Sequence, residues 1–393
     1  MVQSILSEEI QHYIDDKINA DVTKLALQKN PFAEVEWNLV LQQLAAKQKA
    51  KSKLPTWFKT HNIYYPSKIS VEQTSSEKTA QYKASLISGN NLIDLTGGFG
   101  VDDFYFSKTV AKVVHCEINS ELSKIVKHNF EQLNVKNVDC FADDSSEVLQ
   151  KLNQKFDWIY IDPSRRNDSK GKVFMLKDCL PNVPELLDFY FNFSDNIMIK
   201  TAPILDISAG ISELKNIAEI HVVALENEVK ELLFILKKNH ESTIEIKTVN
   251  LLKDKNEAFQ FQINSEAKKT NFAAPKKYLF EPNAAIMKSG GFDAIATQFE
   301  LEKLHQHSHL YTSNELLDFP GRIFEIQNTL EYNKANMKSF LENQKANITT
   351  RNFPETVENI QKKWKIKDGG NVYSFFTTDM TNSKIVLLCE KLK

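Results

Sequence analysis

Arginine is almost missing. Of 49 basic side chains only four are arginine, and two of these, Arg165 and Arg166, stand together in WIYIDPSRRND at 158–168. Cysteine is as sparse. Cys116, Cys140, Cys179 and Cys389 form no CxxC pair and no metal spacing, which argues against a disulfide framework and a structural zinc site and fits reduced thiols in a cytoplasm. No run of about 18 apolar residues occurs, so no membrane span is expected. The opening MVQSILSEEIQHYIDD is acidic and lacks the basic-then-apolar order of a signal peptide. Internal repeats and low-complexity tracts are absent. Excess charge of one sign is absent too, although the net −2 hides an uneven split. Residues 1–90 carry 11 basic and 9 acidic side chains, 91–270 carry 22 and 28, and 271–393 carry 16 and 14. A polyanion-binding surface is therefore expected on the flanks.

What is present is a soluble chain of 393 residues, 42% hydrophobic and 25% charged, long enough for roughly two to four domains. Residues 5–52 have apolar positions three and four apart and read as helices, punctuated by Pro31 and Pro55. From residue 91 short apolar strands are predicted at 91–95, 112–116, 138–141, 156–161, 195–200, 218–225 and 231–237, the earlier ones separated by amphipathic helices. That alternation implies a parallel sheet covered on both faces. The last two strands are separated only by ENEVK, too short for a crossover, and must pair antiparallel. A further hairpin is predicted at 243–250 and 257–263, and FAAPKKYLFEPN at 272–283 reads as a linker or domain entry. Beyond it, strands at 323–327, 346–350, 372–378 and 384–389 with helices near 333–342 and 355–364 make a small α+β unit.

The first strand, NLIDL, runs into TGGFGVDDF. Glycines at such a turn let backbone amides approach a ligand. The dinucleotide fingerprint GxGxxG fails here, because Asp103 occupies its last position. Instead Asp94 precedes Thr96-Gly97-Gly98-Phe99-Gly100, and an acid there suits a ligand with an ammonium group and repels a pyrophosphate. Glu117 ends the second strand, where a carboxylate can accept from both hydroxyls of a ribose. Asp143, just after the third, can accept from an adenine amino group. The bland reading is a tight strand–helix turn with two solvated strand ends.

The order Asp94…Gly98-x-Gly100, Glu117, Asp143, Asp162-Pro163 at successive strand ends resembles the class I S-adenosylmethionine-dependent methyltransferases. The resemblance implies a Rossmann-like seven-stranded α/β sheet ending in an antiparallel hairpin, with S-adenosylmethionine as cofactor. It sets Asp94, Thr96, Gly97, Gly98 and Gly100 against the methionine part, Glu117 at the ribose and Asp143 at the adenine. It also implies that the end of the fourth strand faces the methyl group and the acceptor. Members acting on bases often carry Asn/Asp-Pro-Pro-aromatic there; this chain has Ser164 and Arg165 instead. Asp-Pro-x-Arg is similar to the enzymes that methylate C5 of uridine, but those need a cysteine after the fifth strand, and IKTAPILDI at 199–207 has none.

Pro163 fixes its own φ and stiffens the turn holding Asp162. Arginine offers a planar fork for phosphate and a flat face for a base, which lysine does not. Asp162, Pro163 and Arg165 are therefore the expected catalytic group, with Arg166 binding substrate. The competing account of the arginines is a local ion pair with an acid such as Asp168. Lys200, at the end of the fifth strand, either neutralises charge nearby or is an exposed structural lysine.

Between Glu36 and Glu72 no acid occurs, while KQKAKSKLPTWFKTHNIYYPSK interleaves lysines with aromatics. Lys51, Lys53 and Trp57 are candidates for an RNA site, since lysines meet phosphates and aromatics stack on unpaired bases. Packing of those aromatics on the core is the alternative. QKKWKIKDGG at 361–370 repeats the pattern. The stretches LPTWFKTHNIYYPSKISVEQTSSEKTAQYKA, YLFEPNAAIMKSGGFDAIA and ITTRNFPETVENIQKKWKIKDGG resemble a bacterial group of methyltransferases with ferredoxin-like and THUMP-like C-terminal domains. That likeness spans essentially the whole chain. It implies an N-terminal helical domain at 1–85, a methyltransferase domain at 86–266, a ferredoxin-like segment at 267–325 and a THUMP-like domain at 326–393. It further implies structured RNA, transfer or ribosomal, as partner, with Arg351 in the RNA-binding domain and Arg322 at the junction before it. Gln73 and Ser75 could cover the cofactor, or the serine could cap a helix. His305, His307 and His309 have no carboxylate or cysteine at matching spacing, so no metal is expected. A non-catalytic cofactor-holding protein of ribosome assembly and a protein methyltransferase are the alternative functions.

Overall fold

A computed structural model describes residues 2–165, 175–263 and 270–393. The chain divides into two compact units, Met1–Ala218 with Leu233–Glu241, and Glu219–Leu232 with Ser242–Lys393.

In the first unit the helix Trp37–Lys53 presents Val40, Leu41 and Leu44 to Ile10, Ile14 and Leu25 of the preceding helices. Lys51 and Lys53 lie in its last turn, where cations oppose the negative end of the helix dipole. Leu54 leaves helical geometry because Pro55 follows it, and Pro55 opens the next helix, Pro55–Lys59, at its first turn. Trp57 on that helix is fully buried, its ring 4.8 Å from that of Phe104. The N-terminal helices thus share a compact unit with the sheet that follows.

That sheet begins with β1 (Asn91–Asp94), β2 (Lys112–Cys116), β3 (Val138–Phe141) and β4 (Trp158–Ile161). A two-stranded antiparallel ribbon, β5 (Ser164–Arg165) with β6 (Cys179–Leu180), intervenes before β7 (Asn196–Thr201). The pairs β1–β2, β2–β3, β1–β4 and β4–β7 are all parallel, as their helical crossovers require. Every residue of β4 is buried, the signature of a central strand covered on both faces.

The strands β8 (Ile217–Leu225) and β9 (Glu228–Lys237) are joined by Glu226 and Asn227, both at positive φ, the conformation of a two-residue hairpin turn. The division between the two units runs through this hairpin. The hairpin predicted at 243–263 exists as β10 (Glu245–Leu251) and β11 (Asn256–Gln262), antiparallel to each other, with β10 parallel to β8. It therefore extends the sheet to nine strands, in the order β3-β2-β1-β4-β7-β9-β8-β10-β11, where seven were expected. The first seven of these follow the class I order, so the two added strands lengthen one edge of that fold.

The second unit carries a seven-stranded sheet. Its members are β12 (Tyr278–Pro282), β13 (Glu302–Lys303), β14 (Tyr311–Ser313), β15 (Gly321–Glu331), β16 (Asn347–Arg351), β17 (Val372–Thr378) and β18 (Lys384–Lys391). Their order is β13-β14-β12-β15-β18-β17-β16, with β16 and β17 parallel across the helix Val357–Trp364. The stretch expected as a linker or domain entry is the entry to the second sheet: it supplies β12, whose Leu279 and Phe280 are buried. Among the described residues no helix is long and apolar enough to cross a membrane.

Candidate active site

The turn after β1 is shaped by what it must fit around. Gly97 lies so close to the His115 ring that a β-carbon there would come within 2.1 Å of it, and Gly100 sits at φ +74° with a β-carbon 2.7 Å from Phe130. Neither position has room for a side chain. His115, on β2, is buried and its Nδ1 lies 2.6 Å from Asp103 Oδ2, also buried. Asp103, the residue that breaks the dinucleotide pattern, is thus the anchor of the imidazole beneath the glycine turn. Burial pulls the His115 pKa down, with Asp94 acting the other way.

Asp94 is 2% exposed. Its Oδ1 accepts from the amide of Thr96 at 2.7 Å and from the Thr96 hydroxyl at 3.1 Å. Burial, reinforced by the neighbouring Asp103, holds its carboxyl well above the usual carboxylate range, against the pull of His115. Among the described residues no lysine or arginine pairs with it. Asp102 next to it is treated differently. Burial works against its charge, but the Lys83 ammonium at 3.2 Å leads the groups that overcome it, and the carboxyl titrates below its ordinary value. Ser75 and Tyr160 hydroxyls donate to Asp102 Oδ2 at 2.9 and 2.8 Å. Ser75 is therefore part of this buried network, and the helix Glu77–Ser85 is capped by Ser76.

Glu117, half-buried beyond β2, accepts from the Gly98 amide at 3.1 Å with one oxygen and from the Asn119 amide at 2.7 Å with the other. Each oxygen keeps a second lone pair for a ligand hydroxyl. Asp143 is exposed, because Asp144 takes over the capping of the helix Ser145–Leu152. Ile118, directly after Glu117, is 77% exposed, an apolar surface that charge-based reading of the sequence passes over. A buried acid without a cation, a carboxylate with spare acceptor capacity, an exposed acid and a bare aliphatic face fit a ligand that carries an ammonium group, a ribose and an adenine. S-adenosylmethionine has all three.

Asp162 follows β4. Its amide donates to Thr96 Oγ1 at 2.7 Å, so the turn after β4 is tied to the glycine turn. Lys200, at the end of β7 and nearly buried, pairs with Asp162 Oδ2. Of the two readings of Lys200, charge neutralisation is the one realised. Pro163 is buried, and the backbone of Arg165 lies in β5, with Arg165 opposite Cys179. Arg166 lies outside the described residues.

The candidates on the flanks fare differently. Trp57 has no exposed face, so stacking on a base is closed to it; it packs against Phe104, and the packing account of that aromatic holds. Lys51 is exposed and reaches Asn19 Oδ1 at 3.2 Å, whereas Lys53 is half-buried and donates to the Glu72 carbonyl. Arg351, in the second unit, gives two hydrogen bonds to Glu281 Oε1 at 3.1 and 2.8 Å, and Arg322 holds the other oxygen of the same carboxylate. His305, His307 and His309 lie in the irregular stretch between β13 and β14. Among the described residues no cluster of His, Cys, Asp or Glu has the makings of a metal site.

Residues 59–177 match the family model of conserved hypothetical protein 95, residues 278–320 a ferredoxin-like domain and residues 321–391 a THUMP domain-like family. No curated protein matches the chain. A crystal structure described as a "putative methyltransferase from Porphyromonas gingivalis W83" is 30% identical, covers 100% of this chain and 99% of its own, and superposes with a TM-score of 0.88. An rRNA methylase from Streptococcus thermophilus is 10% identical over 41% of this chain and 96% of its own, at a TM-score of 0.30. The tRNA m1G37 methyltransferase of M. jannaschii is 16% identical over 42% of this chain and 49% of its own, also at 0.30. With full-length similarity to the Porphyromonas protein, domain matches in the expected order and a sheet of class I topology, this chain belongs to the class I S-adenosylmethionine-dependent methyltransferases that carry ferredoxin-like and THUMP-like C-terminal domains.

Proposed function

We propose that the chain methylates a structured RNA, transfer or ribosomal, in the cytoplasm, with Asp162-Pro163-Ser164-Arg165 at the acceptor face. What carries the reading is a row of acids. Asp162, Asp94, Glu117 and Asp143 stand at or just beyond the C-terminal ends of β4, β1, β2 and β3, which are consecutive in the sheet. Ligands of open parallel sheets bind beyond those ends.

When bound, S-adenosylmethionine supplies a methyl group on a sulfonium, whose carbon–sulfur bond breaks towards sulfur as the acceptor's lone pair forms the new bond. Asp94 would take the cofactor's ammonium, while Thr96, Gly97, Gly98 and Gly100 would bring the backbone close. Glu117 would accept from the ribose hydroxyls and Asp143 from the adenine amino group, with exposed Ile118 supplying apolar surface for the adenine. Asp162 accepts from the N–H or O–H of the RNA acceptor, orienting it and drawing off its proton as the new bond forms. Arg165 and Arg166 hold phosphate or a neighbouring base. Positioning does most of the catalysis.

The RNA half rests on the THUMP-like match at residues 321–391 and on the mildly positive flanks. Lys51, Lys53 and Arg351 are its proposed contacts. The test compares methylated nucleosides by mass in RNA from cells with and without the protein. One methylated nucleoside is expected to vanish, which would name the base and the atom. Identical nucleoside spectra from a chain that binds S-adenosylmethionine would overturn the reading and leave two others. A steep salt dependence of RNA affinity would then indicate a non-catalytic role in ribosome assembly, and its absence a protein acceptor.

A further inference from the structure

The Asp162-Pro163 turn is held from two sides by different strands. From the β1 side, Thr96 Oγ1 accepts the Asp162 amide at 2.7 Å and donates its own proton to Asp94 Oδ1 at 3.1 Å. From the β7 side comes Lys200. Ile161 faces Ile199 in the parallel register of β4 and β7, so Asp162 and Lys200 are the next positions along the same two strands. The Lys200 ammonium pairs with Asp162 Oδ2. Its side chain is 12% exposed, whereas that of Asp162 is 37% exposed. The lysine is therefore built into the body of the site and the carboxylate into its rim. The same ammonium also bears on buried Asp102, whose carboxyl it helps to lower.

We propose that Lys200 is a positioning residue for methyl transfer, forming with Thr96 a two-point brace that fixes Asp162. This rests on the reading that the Asp162 turn faces the acceptor. Thr96 fixes the backbone of Asp162, and Lys200 takes Oδ2, which sets the carboxylate plane and leaves Oδ1 as the oxygen turned to the acceptor. The ammonium has a second effect. A bare carboxylate beside a sulfonium would be drawn towards it and away from the acceptor, and the lysine charge removes that pull. Thr96 carries the coupling further, since one hydroxyl joins the acid of the cofactor turn to the amide of the acceptor turn.

The test uses the full chain, tritiated S-adenosylmethionine and RNA extracted from cells lacking the protein. Lys200→Met is expected to lower kcat by about 100-fold, the cost of misplacing a reacting group by about an ångström. The KM for RNA and the calorimetric affinity for S-adenosylmethionine should stay within about threefold of the unaltered chain. Lys200→Arg should recover part of the lost kcat, because it restores the cation. Lys200→Gln replaces the methionine variant if the latter does not fold. In the chain without ligand, the ammonium signal of Lys200 in nitrogen-resolved NMR should shift in Asp162→Asn. An unchanged kcat in Lys200→Met, a rise in KM alone, or an ammonium signal indifferent to Asp162→Asn would each overturn the brace while leaving the acceptor reading intact. Failure of the unaltered chain to methylate this RNA, despite binding the cofactor, would instead remove the acceptor reading and the brace with it.

Discussion

Asp94 and Glu281 are both carboxylates at 2% exposure, and their surroundings could hardly differ more. Glu281, on β12, is saturated. Arg322 holds one of its oxygens and Arg351 the other, so two guanidiniums answer one buried charge. Asp94 has the amide and hydroxyl of Thr96 and a hydrogen bond shared with the Asp103 carboxyl, with Asp102 as a further acidic neighbour and no cationic side chain paired with it among the described residues. Burying a carboxylate without a cation is expensive, and folding tolerates it where something else supplies the charge. A buried acid answered by two cations is therefore architecture, and one at a strand end with no cation paired to it is where we propose that a cationic ligand binds. The arginines repeat the lesson. A chain so poor in arginine spends two of its four on one glutamate, and they join β15 and β16 to β12 across 41 and 70 residues of sequence.

The largest effect should come from breaking the saturated side. Glu281→Gln leaves two guanidiniums facing a neutral amide and is expected to cost about 3 kcal/mol, at the low end for a broken buried pair because both arginines are about a third exposed. The measure is the unfolding midpoint, with the affinity for S-adenosylmethionine unaltered. An unchanged midpoint would mean that the arginines are not needed for the fold, and would strengthen Arg351 as an RNA contact.

Neutralising the unsaturated acid should do the opposite. Asp94→Asn is expected to lose about 2 kcal/mol of cofactor affinity, roughly 30-fold in Kd, by removing a charge-assisted contact to an ammonium. Its stability should exceed that of the unaltered chain at pH values above the ordinary carboxylate range. The Asp94 carboxyl is raised in the folded chain, so its contribution to stability is present at low pH and is lost as the pH climbs from the unfolded value through the folded one. Asparagine does not titrate and escapes that loss. Unfolding midpoints that fall in parallel with the unaltered chain at every pH would contradict the assignment of a raised carboxyl.

A smaller effect follows from the same sign. If the free chain holds a proton in the cluster of Asp94, Asp103 and His115, with Asp102 charged alongside, then an ammonium ligand that prefers ionised Asp94 expels it. Calorimetry in two buffers of different ionisation enthalpy should register a fraction of a proton released per S-adenosylmethionine bound, and affinity should increase with pH above the ordinary carboxylate range. Proton uptake would reverse the argument.

Much of this was legible in the sequence, for physical reasons. β2, buried along most of its length, reads as a continuous apolar run, and both β2 and the half-exposed edge strand β3 begin and end where the sequence predicts. Glycines and acids at strand ends follow directly from the order of residues. The strand β12 was only half legible, because proline and lysines precede it and leave a linker and a domain entry equally open. That β10 and β11 join the main sheet was hidden because a hairpin's own pattern does not say which edge it extends. Trp57 was misassigned since aromatics among lysines look alike whether they face solvent or core. The links Asp103–His115, Lys83–Asp102 and Lys200–Asp162 connect different elements, so local spacing does not report them.

The smallest effect concerns cations rather than acids, judged by the same criterion of whether the charge is already answered. Lys51 is exposed and held only by a neutral amide oxygen at 3.2 Å, while Lys53 is half-buried and donates to the Glu72 carbonyl. Both sit at a helix end where a lysine is stabilising by about 0.3–1 kcal/mol, so neither alanine variant should change stability by more than that. Their effects on RNA should diverge. Lys51→Ala is expected to flatten the logarithmic salt dependence of RNA affinity by about 0.7–0.9, the release of one counterion, and Lys53→Ala to leave it nearly unaltered. Equal losses from both would mean that local hydrogen bonding does not decide which lysines meet phosphate, and would weaken the criterion that separates Glu281 from Asp94.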